Sequence, residues 1–119
     1  MRQAVCALIP RENGRVLGVS RKDNISKWGL IGGKVDEGET PEEALLRETF
    51  EETGLRITSF QKIFTRTDGE FECFTYLCGV EGEVSTNEKG IVKEVTWDEL
   101  FEGPFGEYNR NLYNTFNHE

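Results

Sequence analysis

The chain is poor in the residues that nucleophilic and soft-metal chemistry require. Its single histidine, His118, is the penultimate residue, so no Ser-His or Cys-His pair can be built around a firmly held imidazole. The three cysteines, Cys6, Cys73 and Cys78, are odd in number and form no C-x-x-C pair or Cys/His cluster. That argues against a zinc site or a disulfide framework and fits free thiols in a reducing cytoplasm. Cys73 and Cys78, five apart in a strand-like run, should face opposite sides of it. No apolar run is long enough to span a membrane, and the apolar part of MRQAVCALIPREN is too short for a signal peptide. Cations are scarce too. Fourteen Lys and Arg against 22 Asp and Glu leave a net charge of −8, which excludes the broad basic surface that stable nucleic-acid binding relies on.

What remains is an ordinary globular composition, 36% hydrophobic and 30% charged, with enough chain for one domain over residues 1–119. Strand-like runs AVCALI and RVLGVS flank Asn13-Gly14, a hairpin signal. WGLIGGK follows. Later, RITSFQKIFTRT and EFECFTYLCGV are joined at Asp68-Gly69, and GIVKEVTW reads as a further strand. TWDELF has the length of one helical turn, and GEYNRNLYNTF reads as a closing helix with Tyr108, Leu112 and Phe116 on one face.

The most informative segment lies between these runs, in GGKVDEGETPEEALLRETFEETGL, Gly32 to Leu55. Thr40 as N-cap, Pro41 at the first helical position and Glu43 three after the cap predict a capped helix over about 41–53, with Gly54 ending it. Glu48, Glu51 and Glu52 are spaced i, i+3 and i+4 and project from one face, an acidic stripe that needs a cation to neutralise it. Leu46 and Phe50 are expected to anchor the opposite side on a sheet, with Ala44 leaving the acidic side open. Arg47 can pair with Glu43 and Glu51. All-carboxylate donors suit Mg²⁺ or Mn²⁺ rather than a softer metal. GLIGGK is not a phosphate-binding P-loop, because Trp28 stands five before Gly33 and Val35 follows Lys34.

Gly33, Glu39, Arg47, Glu48, Glu51, Glu52 and Gly54 together form G-x5-E-x7-R-E-U-x-E-E-x-G-U, with U aliphatic. From this chain's own residue frequencies such a match has a chance on the order of 10⁻⁷ per start point. The pattern resembles the signature of the Nudix hydrolases, departing from it only at Thr49, where the family usually carries Ile, Leu or Val; Leu55 fills the second aliphatic place. The resemblance implies an α/β (α+β) Nudix fold, a mixed β-sheet sandwiched between α-helices, with the box as a loop, helix and loop at the active site. It further implies hydrolysis of a nucleoside diphosphate linked to another group, assisted by two or three divalent cations. By the same resemblance Glu48, Glu51, Glu52 and the Gly32 carbonyl are metal ligands, Arg47 orients the glutamates and Glu39 supports the site. The general base is then Glu48, Glu52 or a glutamate on a later loop. Glu94 is the expected extra metal ligand, ahead of Glu88.

For the substrate, Arg21 stands where related nucleotide-sanitising enzymes carry an arginine that contacts phosphate or sugar, so the resemblance makes it a candidate for that contact, with Lys34 assisting from the loop. The tail segment GPFGEYNRNLYNTF resembles the region from which such enzymes present an Asn to a purine, which makes Asn109 the candidate for reading the base through its paired donor and acceptor, with Phe105 or Tyr108 stacking or lining the pocket. No proline lies between Pro41 and Pro104, so the downstream proline associated with ADP-ribose hydrolysis is absent, as is a coenzyme A signature. The expected substrate is a small-molecule nucleotide, most of all a (deoxy)nucleoside triphosphate, oxidised purines included, in a cytoplasmic monomer or homodimer. Nucleotide sugars, dinucleoside polyphosphates, capped RNA ends and a silent nucleotide-binding domain are the alternatives.

Overall fold

The apolar run AVCAL leaves β1 (Arg2–Leu8) no face to give to solvent: Val5, Ala7 and Leu8 are at most 1% exposed. Such a strand belongs in the middle of a sheet covered on both sides. A computed structural model describes residues 2–21, 24–85 and 90–117, the side chains of Arg21, Asn24, Ile25 and Asn117 excepted. In it β1 pairs in antiparallel fashion with β3 (Asn24–Lys34) and in parallel with β5 (Phe71–Glu81). With β2 (Val16–Arg21), β4 (Arg56–Asp68) and β6 (Gly90–Val95), the sheet order is β4-β5-β1-β3-β2-β6.

Alternation along the strands divides the core in two. Val5, Ala7, Ile31 and Tyr76 pack with Leu45 of α1 (Pro41–Thr53), while Leu8, Leu30 and Trp28 pack with Leu100 of α2 (Trp97–Phe101) and Leu112 of α3 (Gly106–Asn117). The expected mixed sheet between helices is therefore present. Cys78 lies in the α1-side core and Cys73 on the α3 side, and all three cysteines are free. No helix among the described residues is long and apolar enough to cross a membrane.

The hairpin expected around Asn13-Gly14 forms only at its tip. Asn13 and Gly14 take φ 62° and 75°, Arg11 donates its N–H to the Arg15 carbonyl at 2.7 Å, and Pro10 bridges Val16. Beyond that the strands part and β3 enters between them. Pro10 has no N–H to continue a ladder, and β1, buried on both faces, takes β3 as its neighbour along Ala4–Ala7. The second hairpin runs its full length, with β4 and β5 paired from Arg56↔Glu81 to Asp68↔Phe71 and the register shifting between Ile57 and Ser59 and between Lys62 and Phe64.

Helix α1 has the predicted ends. Thr40 Oγ1 accepts from the Glu43 N–H at 3.1 Å, Glu43 Oε1 accepts from the Thr40 N–H at 2.9 Å, and Gly54 closes the helix at φ 77°. Its faces are another matter. Leu46 and Phe50 are 45% and 53% exposed, and the buried residues are Ala44, Leu45, Thr49 and Thr53. At about 100° per residue, Glu48 and Glu52 fall between Ala44 and Leu45 on the wheel. The acidic stripe thus shares the sheet-facing side, and Leu46 and Phe50 are turned outward. Glu43 is held by the cap, so the expected Glu43–Arg47 pair gives way to it.

Thr49, at the position departing from the family pattern, is fully buried, and its Oγ1 has no hydrogen-bond partner among the described residues. Thr49→Val keeps the shape and the β-branching while removing an unsatisfied hydroxyl. It is expected to stabilise the fold by about 1 kcal/mol. Urea or thermal denaturation checks this; an unchanged or lowered midpoint would contradict it.

Candidate active site

Arg47 is the organising group. Its Nε and Nη2 grip Glu39 through both carboxylate oxygens at 2.8 and 2.9 Å, and Nη1 donates to Glu48 and Glu51, each at 2.8 Å. Nη2 also reaches the Lys34 carbonyl at 3.2 Å and lies 3.3 Å from Asp36. The side chain is about a third exposed, while those of Glu39 and Glu48 are 15% and 20% exposed. Partial burial makes an uncompensated carboxylate costly, and the guanidinium fork is the group whose geometry can serve several at once. Hydrogen bonds from Arg47 and from the Asp36 N–H hold Glu39 down at about 2, and the same carboxylates push the Arg47 guanidinium higher still, Glu39 first.

The glycine pair explains how α1 comes so close to β3. A Cβ on Gly33 would lie 2.4 to 2.7 Å from the three carboxyl atoms of Glu48, and one on Gly32 would lie 2.1 Å from the Val5 carbonyl. The Gly32 N–H donates to Glu52 Oε1 at 2.8 Å. Strand β3 thus delivers one backbone donor to Glu52 and a side-chain-free surface to Glu48. The third glutamate, Glu51, is the most open, with 47% of its side chain exposed.

On the other side of the same segment, between the sheet and α3, opens a cleft of about 410 Å³. Gly32, Gly33 and Lys34 border it, so the acidic helix and the cleft meet along three residues of β3. Phe71 and Phe105 are among its aromatic walls, and Phe105 stands 57% exposed with its ring against Gly29, where a Cβ would come within 3.7 Å of it. Asn109, 1% exposed, lies at the floor. Its neighbour Tyr108 is held by a 2.7 Å hydrogen bond between its hydroxyl and that of Thr75.

A family profile described as the NUDIX domain matches residues 1–116. The chain belongs to the Nudix family. A solved structure from Chromobacterium violaceum, assigned as a nudix hydrolase family member, superposes with a TM-score of 0.81 at 31% identity, covering 100% of this chain and 80% of that one. A MutT-like protein of Streptomyces ambofaciens is 33% identical over 83% of this chain and 66% of its own length. A Bacillus subtilis (strain 168) protein assigned as an 8-oxo-dGTP diphosphatase is 43% identical over 51% of this chain and 40% of its own length. The chain thus spans between 40% and 66% of the length of these two curated relatives.

Within the Nudix box, the structure gathers Glu39, Arg47, Glu48 and Glu51 into one network and holds Glu52 separately on the Gly32 N–H. Glu94 lies on the edge strand β6, exposed and opposite Leu17, whose side chain packs in the α1-side core. Lys34 reaches the cleft rim, its ammonium 5.6 Å from the Phe71 ring centre. The backbone of Arg21 ends β2, paired with Asn24 and Gly90, but its side chain lies outside the described residues, as do Glu88 and His118. Two participants were missed from sequence. Asp36, in the box loop, contacts Arg47 without occupying a signature position. Phe71 begins β5, and only the strand alternation with Cys73 could have placed it on the cleft side.

Proposed function

We propose that this Nudix protein is a pyrophosphohydrolase that cleaves a (deoxy)nucleoside triphosphate, oxidised purine forms included, to the monophosphate and pyrophosphate. The observation that carries the reading is the Arg47 network holding the box glutamates against the Gly32–Lys34 segment that borders the cleft. A base in the cleft directs its phosphates across that segment toward the glutamates. The name of the Bacillus subtilis relative supports an oxidised purine.

A divalent cation fits the donor set, which is all oxygen: Glu48, Glu51, Glu52 and the Gly32 carbonyl would hold Mg²⁺ or Mn²⁺. Glu48 Oε1 and Glu51 Oε1 are each 2.8 Å from one Arg47 nitrogen and so lie within twice that distance of each other. Among the described residues no three Asp, Glu, His or Cys side chains already converge as a cage, and small rotations away from Arg47 are needed to make one. When bound, the cation neutralises phosphate oxygens and acidifies water. The protein's own residues do the rest. Arg47 sets the glutamate rotamers, the Gly32 N–H aims Glu52, and Glu48 or Glu52 takes a proton as water oxygen bonds to phosphorus and the P–O bond to pyrophosphate breaks. Lys34 faces the phosphates as a point charge.

The test is release of pyrophosphate from a panel of nucleotides, with Mg²⁺ and with chelator, for the parent and Glu51→Gln. Release that requires Mg²⁺ and is lost in the variant is expected. Equal release by both proteins, or none by the parent on any nucleotide, would overturn the reading. Mn²⁺ binding followed by its EPR signal gives a second readout, expected to weaken in Glu51→Gln.

A further inference from the structure

Two of the three thiols open into the cleft, and the fold brings them together from distant parts of the chain. Strands β1 and β5 run parallel, with Ala4 opposite Cys73 and Cys6 opposite Thr75. Opposed residues of adjacent strands point to one face and alternate residues share it. Cys6 and Cys73 are therefore diagonal neighbours on the α3 side, and both line the cleft. Each is partly exposed, whereas Cys78 is buried in the core on the other face. Desolvation pushes the Cys6 thiol up to about 12, with the nearby Cys73 as the next cause. Cys73 is pushed up as well, by desolvation and then by Asp68. Both sulfurs thus rest as uncharged thiols.

Their separation decides what they can bind. Strands about 4.8 Å apart with a rise of about 3.3 Å per residue put diagonal Cα atoms about 8 Å apart. That is beyond the roughly 7 Å that a disulfide can bridge without moving backbone. An ion between the sulfurs makes up the difference, because two metal–sulfur bonds of about 2.3 Å replace one S–S bond of about 2 Å. With no three Asp, Glu, His or Cys side chains converging among the described residues, the pair suits an ion that prefers sulfur and takes two ligands in line. Cu⁺ has that chemistry, and Mg²⁺ does not. We propose that Cys6 and Cys73 form a two-thiolate site for one soft monovalent metal ion of the Cu⁺ class and, resting on the proposed nucleotide site, that the bound ion bars nucleotide from the cleft. Each thiol gives its proton to water as its sulfur bonds to the ion. Two thiolates and one monovalent cation leave a net negative charge in the cleft, which opposes an anionic ligand besides taking up its space.

Anaerobic titration of Cu⁺ in competition with a chromophoric chelator reads uptake without any turnover. The parent and Cys78→Ser should each bind one ion per chain, and uptake should be lost in Cys6→Ser and in Cys73→Ser. Cys73 is partly exposed on the cleft wall, so its substitution leaves the core intact. No uptake by the parent, undiminished uptake by Cys73→Ser, or uptake that disappears in Cys78→Ser overturns the site. Pyrophosphate release gives the second readout. Loading with Cu⁺ should abolish release by the parent, while Cys73→Ser exposed to the same Cu⁺ keeps its own rate. Release that continues from the loaded parent overturns the blocking role. Thiol-dependent uptake by a parent that cleaves no nucleotide would remove the proposed function and leave the metal site standing.

Discussion

Arg47→Lys is expected to lower kcat by about 100-fold while the protein still folds. Five N–H donors of Arg47 make five hydrogen bonds, two to Glu39 and one each to Glu48, Glu51 and the Lys34 carbonyl. Lysine keeps the charge but offers three donors at a single point, so it can neutralise part of the cluster without fixing its geometry. Displacements of about 1 Å in a catalytic constellation cost on the order of 10²-fold. The damage should fall on kcat more than on KM, since the cleft does not depend on the fork. A variant within a few-fold of the parent in kcat would show that the glutamates are positioned by something else.

The same network gives a pH signature. Glu39 sits at about 2 in the folded protein against an ordinary value of 4.5, chiefly through its hydrogen bonds from Arg47 and from the Asp36 N–H. A folded value below the unfolded one means that the folded state binds fewer protons, so the contribution to stability is complete above about pH 4.5 and fades as pH falls toward 2. Arg47→Ala removes the largest cause. Parent and variant should therefore differ most in metal-free denaturation near pH 6 and converge toward pH 3; a gap that widens on acidification would contradict this origin for the Glu39 shift.

Local chemistry was readable in the chain wherever a residue's role is set by its near neighbours. Thr40, Pro41, Glu43 and Gly54 declare both ends of α1, because caps satisfy backbone groups within one turn. Asp68-Gly69 declares its hairpin in the same way. The misreadings came where distant segments decide. Asn13-Gly14 does make a turn, but whether its flanking strands pair depends on what else competes for the edge of β1, and β3 wins along Ala4–Ala7. Helix α1 was misjudged for a related reason. An apolar pair at i, i+4 normally marks the buried side, yet here Gly32 and Gly33 draw the carboxylates inward and leave Leu46 and Phe50 outside. Of the cleft, the sequence had named Lys34, Phe105, Tyr108 and Asn109, and the wall it left out is Asp68 and Phe71, which come from a hairpin tip and meet the last helix only in the fold.

Gly33→Ala should be as damaging as the loss of Arg47, though it adds only a methyl group. That methyl would lie 2.4 Å from the Glu48 carboxyl carbon and within 2.7 Å of both its oxygens. Carbon and oxygen cannot approach so closely, so either β3 or Glu48 must move. Strand β3 is pinned by its pairing with β1 at Val5↔Gly33 and Cys6↔Gly32, where Gly32 already sits tight against the Val5 carbonyl. Glu48 is the softer partner, its side chain held by one hydrogen bond from Arg47. The carboxylate should therefore swing away from the segment that borders the cleft, with a loss of about 100-fold in kcat. Because the strain is relieved by a side chain, stability should change little and base affinity for the cleft hardly at all. Titration of a nucleoside monophosphate alongside kinetics separates the cases: intact binding with lost turnover supports displacement of Glu48, whereas binding lost together with turnover would mean that β3 itself has shifted.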